Sequence, residues 1–212
     1  MTELTLYGES TWQSPWVFHV MVALEELGLA YELKTVPLPI NPEARELLEH
    51  RALIGKVPCL VHDGLWLTES SAISEYLAEV YAPPRYAPLL PADRGERARV
   101  RQLISYLRTS LPTLRKERPT SSVFQRPVNT PLSEKAREDA TELVRIADAL
   151  VPTGRTTVAS TWSIADADLA LALMRLGANG DSVLPTRLLD YALAQWGRRS
   201  VRRYLGYIPT TP

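Results

Sequence analysis

The sequence predicts an α/β domain followed by an all-α domain. Three observations support this: strand and helix patterns alternate over the first 80 residues, a proline-rich stretch follows at 82–92, and apolar residues recur at helical spacing from residue 93 onwards. We therefore assign a first domain to 1–82, a linker to 83–92 and a second domain to 93–212. With 212 residues, 45% of them hydrophobic, the chain can bury a core in each domain.

The first domain begins with alternating strands and helices. Ser14 at an N-cap with Pro15 at the first helical position is a preferred helix start, and Gly28 stops the same helix. The predicted elements are, in chain order, a strand at 3–7, a loop at 8–13, a helix at 14–27, a strand at 31–36 and a short helix at about 42–49.

A tight hairpin follows and leads into another helix. Residues 57–62 are predicted to form a buried strand, and residues 65–68 the returning strand. Between them lie Asp63 and Gly64, a dipeptide that a two-residue turn prefers because both central positions need positive φ. Glu69 precedes an apolar-periodic helix that reaches residue 80.

Both ends of this hairpin have the properties of a ligand site. Pro58 lacks an N–H and stands where the first strand begins, as prolines in sheets do. The position of this proline before the hairpin favours a cis Val57–Pro58 bond, which would turn the backbone of Val57 outward, where it can pair with a ligand. At the other end, the first-turn N–H groups beside Ser70 form an anion site. A backbone edge and an anion site together suit a peptide-like ligand with a carboxylate.

The second domain is predicted to be helical throughout. Ser163 and Asp166 form a capping box before the stretch 167–176, which is apolar nearly all round, as expected for a central buried helix. The other predicted segments are helices at 93–117 and 133–151, a loop or helix break at 118–132, and a last helix pair over roughly 185–206.

The order strand, helix, strand, helix, hairpin, helix is thioredoxin-like. Residues 1–80, with their Val57–Pro58 and Glu69–Ser70 pairs, resemble the glutathione-binding domain of the cytosolic glutathione S-transferases. The whole chain resembles the two-domain architecture of that family, in which a capping box also precedes the core helix. Two segments, ERPTSSVF at 117–124 and IADADLALALMRL at 164–176, are similar to its bacterial YfcF-type branch.

This resemblance implies a glutathione site in the first domain. It places the thiol of glutathione beside the first strand-to-helix loop, where Ser14 is the candidate catalytic residue. The Ser14 hydroxyl would stabilise the glutathione thiolate, and the hydroxyls of Ser10 and Thr11 are alternatives in the same loop. Relatives with Cys-Pro at the matching position form mixed disulfides with glutathione, so serine argues against disulfide-reductase chemistry. The other glutathione-binding residues implied are Lys56, Val57, Pro58, Glu69 and Ser70, while Trp12 and Tyr106 are candidate walls of a pocket for the electrophile.

Composition argues against several other classes of function. The formal net charge is zero, which gives no general attraction to nucleic acid or to an anionic membrane. No stretch has the pattern of a signal peptide or the length of a membrane span. The single cysteine, Cys59, excludes an intrachain disulfide and is predicted to be an inert core thiol. His19, His50 and His62 lack partners at metal-ligand spacing, so we predict no metal.

We expect a glutathione transferase that adds glutathione to a small electrophile or reduces a peroxide. The resemblance further implies a cytoplasmic homodimer. A glutathione-dependent isomerase of the maleylacetoacetate type is the alternative among enzymes. The alternative from another class is a non-catalytic binding or regulatory protein of the same fold, which the intact Val57–Pro58 and Glu69–Ser70 pairs disfavour. The sequence leaves the identity of the electrophile open.

Overall fold

A thioredoxin-like domain with a four-stranded mixed sheet is followed by an all-helical domain, as the sequence predicts. The computed structural model describes residues 3–209, so residues 1–2 and 210–212, at the outer ends of the predicted domains, lie outside the described range. The chain divides into two units, the first ending at Leu89 and the second beginning at Leu90. This boundary falls within the segment proposed as a linker, residues 83–92.

The N-terminal unit has the predicted order of strand, helix, strand, helix, hairpin and helix. The strands lie in the order β2-β1-β3-β4, with β1 parallel to β2 and antiparallel to β3, and β3 antiparallel to β4. The elements are β1 (Leu4–Glu9), α1 (Pro15–Glu26), β2 (Glu32–Val36), α2 (Pro42–Ala52), β3 (Cys59–His62), β4 (Leu65–Thr68) and α3 (Ser70–Val80).

Helices pack on both faces of the sheet. On one face, Tyr7, Val57 and Trp66 pack against the buried cluster of Leu48, Ala52 and Cys59, which includes two residues of α2. Gly8 faces the opposite side because side chains alternate along a strand. There α1 approaches β1 so closely that a Cβ on Gly8 would lie 3.1 Å from Cγ1 of Val17. Helix α1 in turn packs against α3.

Three predicted boundaries in this unit were wrong. Strand β1 continues past residue 7 to Glu9, since Gly8 and Glu9 pair with β2. Strand β3 begins only at Cys59, after the proline. Helix α2 continues past residue 49 to Ala52, because Ala52 is buried one turn after Leu48 although polar residues separate them. The turn was predicted correctly: φ is +48° at Asp63 and +84° at Gly64.

The C-terminal unit is built around one buried helix. Every residue of α8 from Ile164 to Leu176 is buried, and the predicted capping box of Ser163 and Asp166 is present at its start. The Asp166 carboxylate also accepts a hydrogen bond from the hydroxyl of Tyr191 at 2.8 Å. The helices are α4 (Arg94–Thr109), α5 (Pro112–Glu117), α6 (Ser121–Phe124), α7 (Glu134–Leu150), α8 (Ile164–Gly177), α9 (Thr186–Trp196) and α10 (Arg199–Leu205).

The long helix predicted over 93–117 is in fact two helices. Helix α4 ends at Thr109, and α5 starts at Pro112 after Leu111, which has a left-handed conformation with φ +60°. Proline lacks a backbone N–H and clashes with the preceding turn, so the helix ends before Pro112. The apolar periodicity nevertheless continues from α4 into α5.

The segment 118–132 is ordered by a buried arginine. The side chain of Arg118, 2% exposed, donates two hydrogen bonds of 2.7 Å to the carboxylate of Asp181 and one of 2.9 Å to the carbonyl of Thr130. The segment 118–132 also contains the short helix α6, so its prediction as a loop or helix break was incomplete. Across residues 3–209, none of the helices combines the length and the apolar composition that crossing a bilayer requires.

Candidate active site

The strand register brings three predicted segments to one end of the sheet. Tyr7 near the end of β1 pairs with Cys59 at the start of β3, and Cys59 pairs with Thr68 at the end of β4. The loop after β1, the Val57–Pro58 pair before β3 and the Glu69–Ser70 pair after β4 therefore all lie at that end. The first of these segments is more than 40 residues from the other two in the sequence, and the fold brings all three together as a single candidate site.

Ser14 caps the helix that starts at this site. Its backbone is extended, with φ −74° and ψ 117°, and its Oγ accepts a hydrogen bond of 3.2 Å from the N–H of Val17. A hydroxyl that accepts through its oxygen still carries a hydrogen that it can donate. The N-cap role and a donor role toward a ligand are therefore compatible in one side chain.

Glu9 was missed by the sequence analysis, which placed it in a loop. It is the last residue of β1, and its side chain is fully buried. Its Oε2 accepts from the backbone N–H and the hydroxyl of Thr11, at 2.6 and 2.5 Å. Its Oε1 accepts from the backbone N–H groups of Gln13 and Ser14, at 2.5 and 2.9 Å. The sequence carries no signal for these contacts, because most of the donors are backbone groups.

These contacts distinguish the hydroxyls in the loop. The Thr11 hydroxyl donates to Glu9, so its hydrogen is already engaged. Ser10 is exposed, and its backbone N–H donates to the carbonyl of Val36 at 2.9 Å. Trp12, which follows Thr11, is buried and has a left-handed backbone with φ +56°. Of the three candidate hydroxyls, those of Ser14 and Ser10 are not donors to Glu9.

The Val57–Pro58 bond is cis, as predicted. The backbone N–H and C=O of Val57 make no hydrogen bond with any residue in the described range 3–209. Lys56 is exposed, and its backbone N–H donates to the carbonyl of Ile54 at 2.8 Å. A peptide-like ligand would thus find an unpaired donor and acceptor at Val57, with an ammonium group on the preceding residue.

Glu69 and Ser70 occupy the start of α3. Glu69 is exposed and has φ +66° and ψ 107°, a conformation that is unfavourable for a residue with a side chain and that occurs most often at functional sites. It holds the N-cap position, but its side chain makes no capping hydrogen bond. Ser70 is 5% exposed. The Glu69 carboxylate is therefore exposed and does not cap its own helix.

Cys59 is buried on β3, and burial raises the pKa of its thiol to about 12. A thiol of this kind is almost entirely protonated near neutral pH and is a poor nucleophile, as the sequence analysis expected. Within the part of the chain that the structure describes, no three His, Cys, Asp or Glu side chains are grouped as a metal site requires.

Tyr106 lies on α4 in the C-terminal unit, whereas Trp12 belongs to the N-terminal unit. Tyr106 lines a cavity of about 470 Å³ between α4 and α7, together with Arg99, Arg145 and apolar residues such as Ile146. Its hydroxyl is buried and has no hydrogen-bond partner among residues 3–209. Burial raises the pKa of this hydroxyl to about 12. The joint pocket of Trp12 and Tyr106 stays a prediction.

Comparison with known proteins identifies the two units. A family model described as the glutathione S-transferase N-terminal domain matches residues 2–79, and one described as the glutathione S-transferase C-terminal domain matches residues 93–208. A solved glutathione transferase homolog from Burkholderia, with bound glutathione, is 38% identical with a TM-score of 0.80, covering 97% of this chain and 98% of that one.

Curated relatives match mainly over shorter segments. A glutathione transferase from Zea mays is 40% identical over 90 residues, which is 42% of this chain and 39% of that protein. A probable maleylacetoacetate isomerase from Caenorhabditis elegans is 40% identical over 94 residues, 44% of this chain and 42% of that protein. The chain thus spans about two fifths of the length of each of these two relatives.

Proposed function

The chain belongs to the glutathione S-transferase family, and we propose that it binds glutathione in its N-terminal unit and activates the thiol as a nucleophile. The observation that carries the proposal is the strand register, by which Ser14, Val57 and Glu69 lie in segments at one end of the sheet. Ser14 has a hydroxyl, Val57 has an unpaired backbone edge, and Glu69 has an exposed carboxylate.

Ser14 is proposed to stabilise the glutathione thiolate. The thiol loses its proton to solvent as its pKa falls, and the hydroxyl of Ser14 donates a hydrogen bond to the sulfur anion. A cysteine thiol has a pKa of about 8.5 in water, and helix N-termini and nearby donors lower such values. The thiolate then forms the new bond to the electrophile, while Ser14 neither attacks nor takes up the proton.

The rest of glutathione is proposed to bind along the other two segments. Val57 pairs through its backbone with the cysteinyl residue, next to Pro58. At the start of α3, Glu69 binds the α-amino group of the γ-glutamyl residue, and Ser70 its carboxylate. Lys56 lies beside Val57 and is suited to the terminal glycine carboxylate. In this arrangement each of the three charged groups of the tripeptide has one partner.

Calorimetric titration with glutathione, followed by a conjugation assay, tests the proposal. We expect saturable binding and turnover with at least one member of a panel of electrophiles, peroxides and cis-enone acids. S-methylglutathione is the control, because it offers the same contacts without a thiol. It should bind but show no thiolate absorbance. A folded protein that binds neither compound would contradict the proposal.

An isomerase activity is the second candidate, supported by the 40% identity over 94 residues to the probable maleylacetoacetate isomerase. The same thiolate would add to a cis-enone acid and leave again after rotation about the former double bond. Turnover of the cis-enone acid without net consumption of glutathione would distinguish it from conjugation. Consumption of two glutathione molecules per peroxide would identify the peroxidase reaction.

The finer predictions made from the sequence stay proposals. They are membership of the YfcF-type branch, a homodimeric assembly and a cytoplasmic location. Sedimentation of the full chain tests the assembly. A non-catalytic binding protein of this fold would retain glutathione binding without turnover of any compound in the panel.

A further inference from the structure

Glu9 is a fully buried acidic residue that the proposed reaction does not use directly. No lysine or arginine forms an ion pair with it within residues 3–209. Burial of a lone carboxylate is costly unless hydrogen bonds compensate it. Here four hydrogen bonds of 2.5–2.9 Å end on its two oxygens. Two oxygens with about four acceptor positions are fully used in this way.

Every donor to Glu9 belongs to the loop that leads to Ser14. The Thr11 contacts hold the first part of the loop and the Gln13 and Ser14 contacts hold the last part. Trp12, between these anchors, has the left-handed φ of +56°. The carboxylate also lies at the N-terminal end of α1, where the partial charge of a helix favours an anion. The loop is therefore folded around the Glu9 carboxylate.

We propose that Glu9 is a positioning residue for thiol activation, which fixes the loop that carries Ser14. This inference rests on the proposed function. The backbone N–H groups of Thr11, Gln13 and Ser14 point to the oxygens of Glu9, so the backbone of Ser14 is held in place. The chain then stabilises the thiolate through a hydroxyl, and Glu9 sets where that hydroxyl stands.

The geometry requires a carboxylate of this length. A glutamine has only one acceptor oxygen, so its NH₂ group would face either the Thr11 side or the Gln13 side, where N–H donors already point. An aspartate keeps the charge but is one methylene shorter, so it cannot reach all of the donors from the same backbone position. The two variants separate the reach of the side chain from its charge.

Thiolate absorbance of bound glutathione against pH, measured for the wild type, Glu9→Gln and Glu9→Asp, tests the inference. We expect the pKa of the bound thiol to rise by about one unit in both variants, and kcat below that pKa to fall about ten-fold. The glutathione Kd should change less than two-fold, roughly, since its main anchors lie elsewhere. Glu3→Gln, an exposed acid just before the same strand, is the matched control and should behave as wild type.

A charge effect alone would give a different pattern. Glu9→Gln would then lower the thiol pKa, because a negative charge near the thiolate is removed, and Glu9→Asp would leave it unchanged. That result, or an unshifted titration in both variants, overturns the inference. Should both variants fail to fold, Thr11→Ala decides: it removes only the hydroxyl contact, so the pKa should rise by a smaller amount, and an unchanged value overturns the inference.

Failure of the proposed function would be visible in the wild type. A wild-type protein that binds no glutathione, or binds it with an unshifted thiol pKa, contradicts the proposed function itself. A wild type with a lowered thiol pKa and an unaffected Glu9→Asp variant contradicts only the role of Glu9.

Discussion

The Ser14 side chain contributes to folding through its oxygen and, in our proposal, to catalysis through its hydrogen. Its Oγ accepts from the N–H of Val17 at 3.2 Å. Because the two roles use different atoms of the same hydroxyl, substitutions can separate them. Glycine is nearly as good as serine at an N-cap, whereas alanine is much worse.

We predict that Ser14→Ala and Ser14→Gly raise the pKa of bound glutathione equally and lower turnover at neutral pH. Only Ser14→Ala should lose about 1 kcal/mol of stability, since glycine costs only a few tenths at an N-cap. Thiolate absorbance against pH measures the first effect, and urea unfolding the second. If the titrations of both variants match wild type, the role would move to the Ser10 hydroxyl or to a backbone amide.

Ser14→Cys should change the chemistry as well as the rate. It restores the Cys-Pro start found in relatives that form mixed disulfides with glutathione. We expect a covalent adduct with oxidised glutathione that is released by reductant. Mass spectrometry of the intact protein detects this adduct. Wild type is the control, and should form none because Cys59 is buried.

Glu69→Gln should weaken glutathione binding. Glu69 is exposed, and its side chain makes no capping hydrogen bond in its own helix. The loss of a charge-assisted hydrogen bond to the α-amino group would cost about 1.5–3 kcal/mol, or roughly ten- to hundred-fold in Kd. Calorimetry measures this, with Glu79→Gln at the other end of α3 as the control. Equal affinities for the two variants would refute the assignment.

Local rules predicted the individual residues of the site well where the contacts are local. Ser14 follows from the Ser-Pro helix start, whereas the cis Val57–Pro58 bond was predicted from the proline before the hairpin together with the family pattern. The role of Glu9 could not be predicted, because its partners are mostly backbone N–H groups whose positions depend on the fold of the loop. Tyr106 was found as a residue, but the cavity it lines depends on the relative positions of α4 and α7, which the sequence pattern does not contain.

At the level of helices and strands, the N–H groups at the start of α5, where the helix is interrupted after α4, find an acceptor on a neighbouring helix. Proline provides no donor at the start of α5, and the next two N–H groups, of Thr113 and Leu114, donate to Oδ2 of Asp139 at 2.9 and 3.0 Å. Asp139 belongs to α7, so a neighbouring helix supplies the cap. A carboxylate at a helix N-terminus also interacts favourably with the helix dipole.

Asp139→Ala should therefore destabilise the C-terminal unit without affecting the site. Two buried or half-buried N–H groups lose their acceptor, which we expect to cost about 1–2 kcal/mol. Urea unfolding measures the change, and glutathione affinity should stay as in wild type. Glu138→Ala, an exposed neighbour on the same helix, is the control. A variant as stable as this control would show that solvent replaces the cap.

Apolar periodicity predicted these elements better than their ends. The pattern of α4 continues through Leu111 and Leu114, both buried, so periodicity alone gave one helix where the backbone has two. Strand β1 was predicted too short because Glu9 is polar, and the pattern therefore placed it in a loop. Glu9 is nevertheless buried, because N–H and O–H groups of the following loop donate to its carboxylate. In both cases tertiary contacts, which the local pattern does not contain, determine the boundary.

For the whole chain, the buried thiol of Cys59 offers a probe of how the N-terminal unit opens. Burial raises its pKa from 9.0 to about 12. At about pH 8.5, iodoacetamide should therefore label it very slowly in the native protein, and at the ordinary rate in denaturant. Mass spectrometry follows the labelling. Rapid labelling of the native protein would show that this core opens frequently.

The same shift has a consequence for stability at high pH. Between pH 9.0 and about 12 the unfolded chain has lost the Cys59 proton that the native chain retains. The native state then binds more protons, so the free energy of unfolding falls as the pH rises through this window. Cys59→Ala removes this contribution and should give a shallower pH dependence in that range.

The contacts of Glu9 restrict how this loop can diverge among related sequences. Three of its four bonds come from the backbone N–H groups of Thr11, Gln13 and Ser14, which almost any residue supplies. Proline is the exception, because it has no N–H. Only the fourth bond, from the Thr11 hydroxyl, depends on a side chain. An acid at position 9 and a proline at position 11, 13 or 14 should therefore exclude one another.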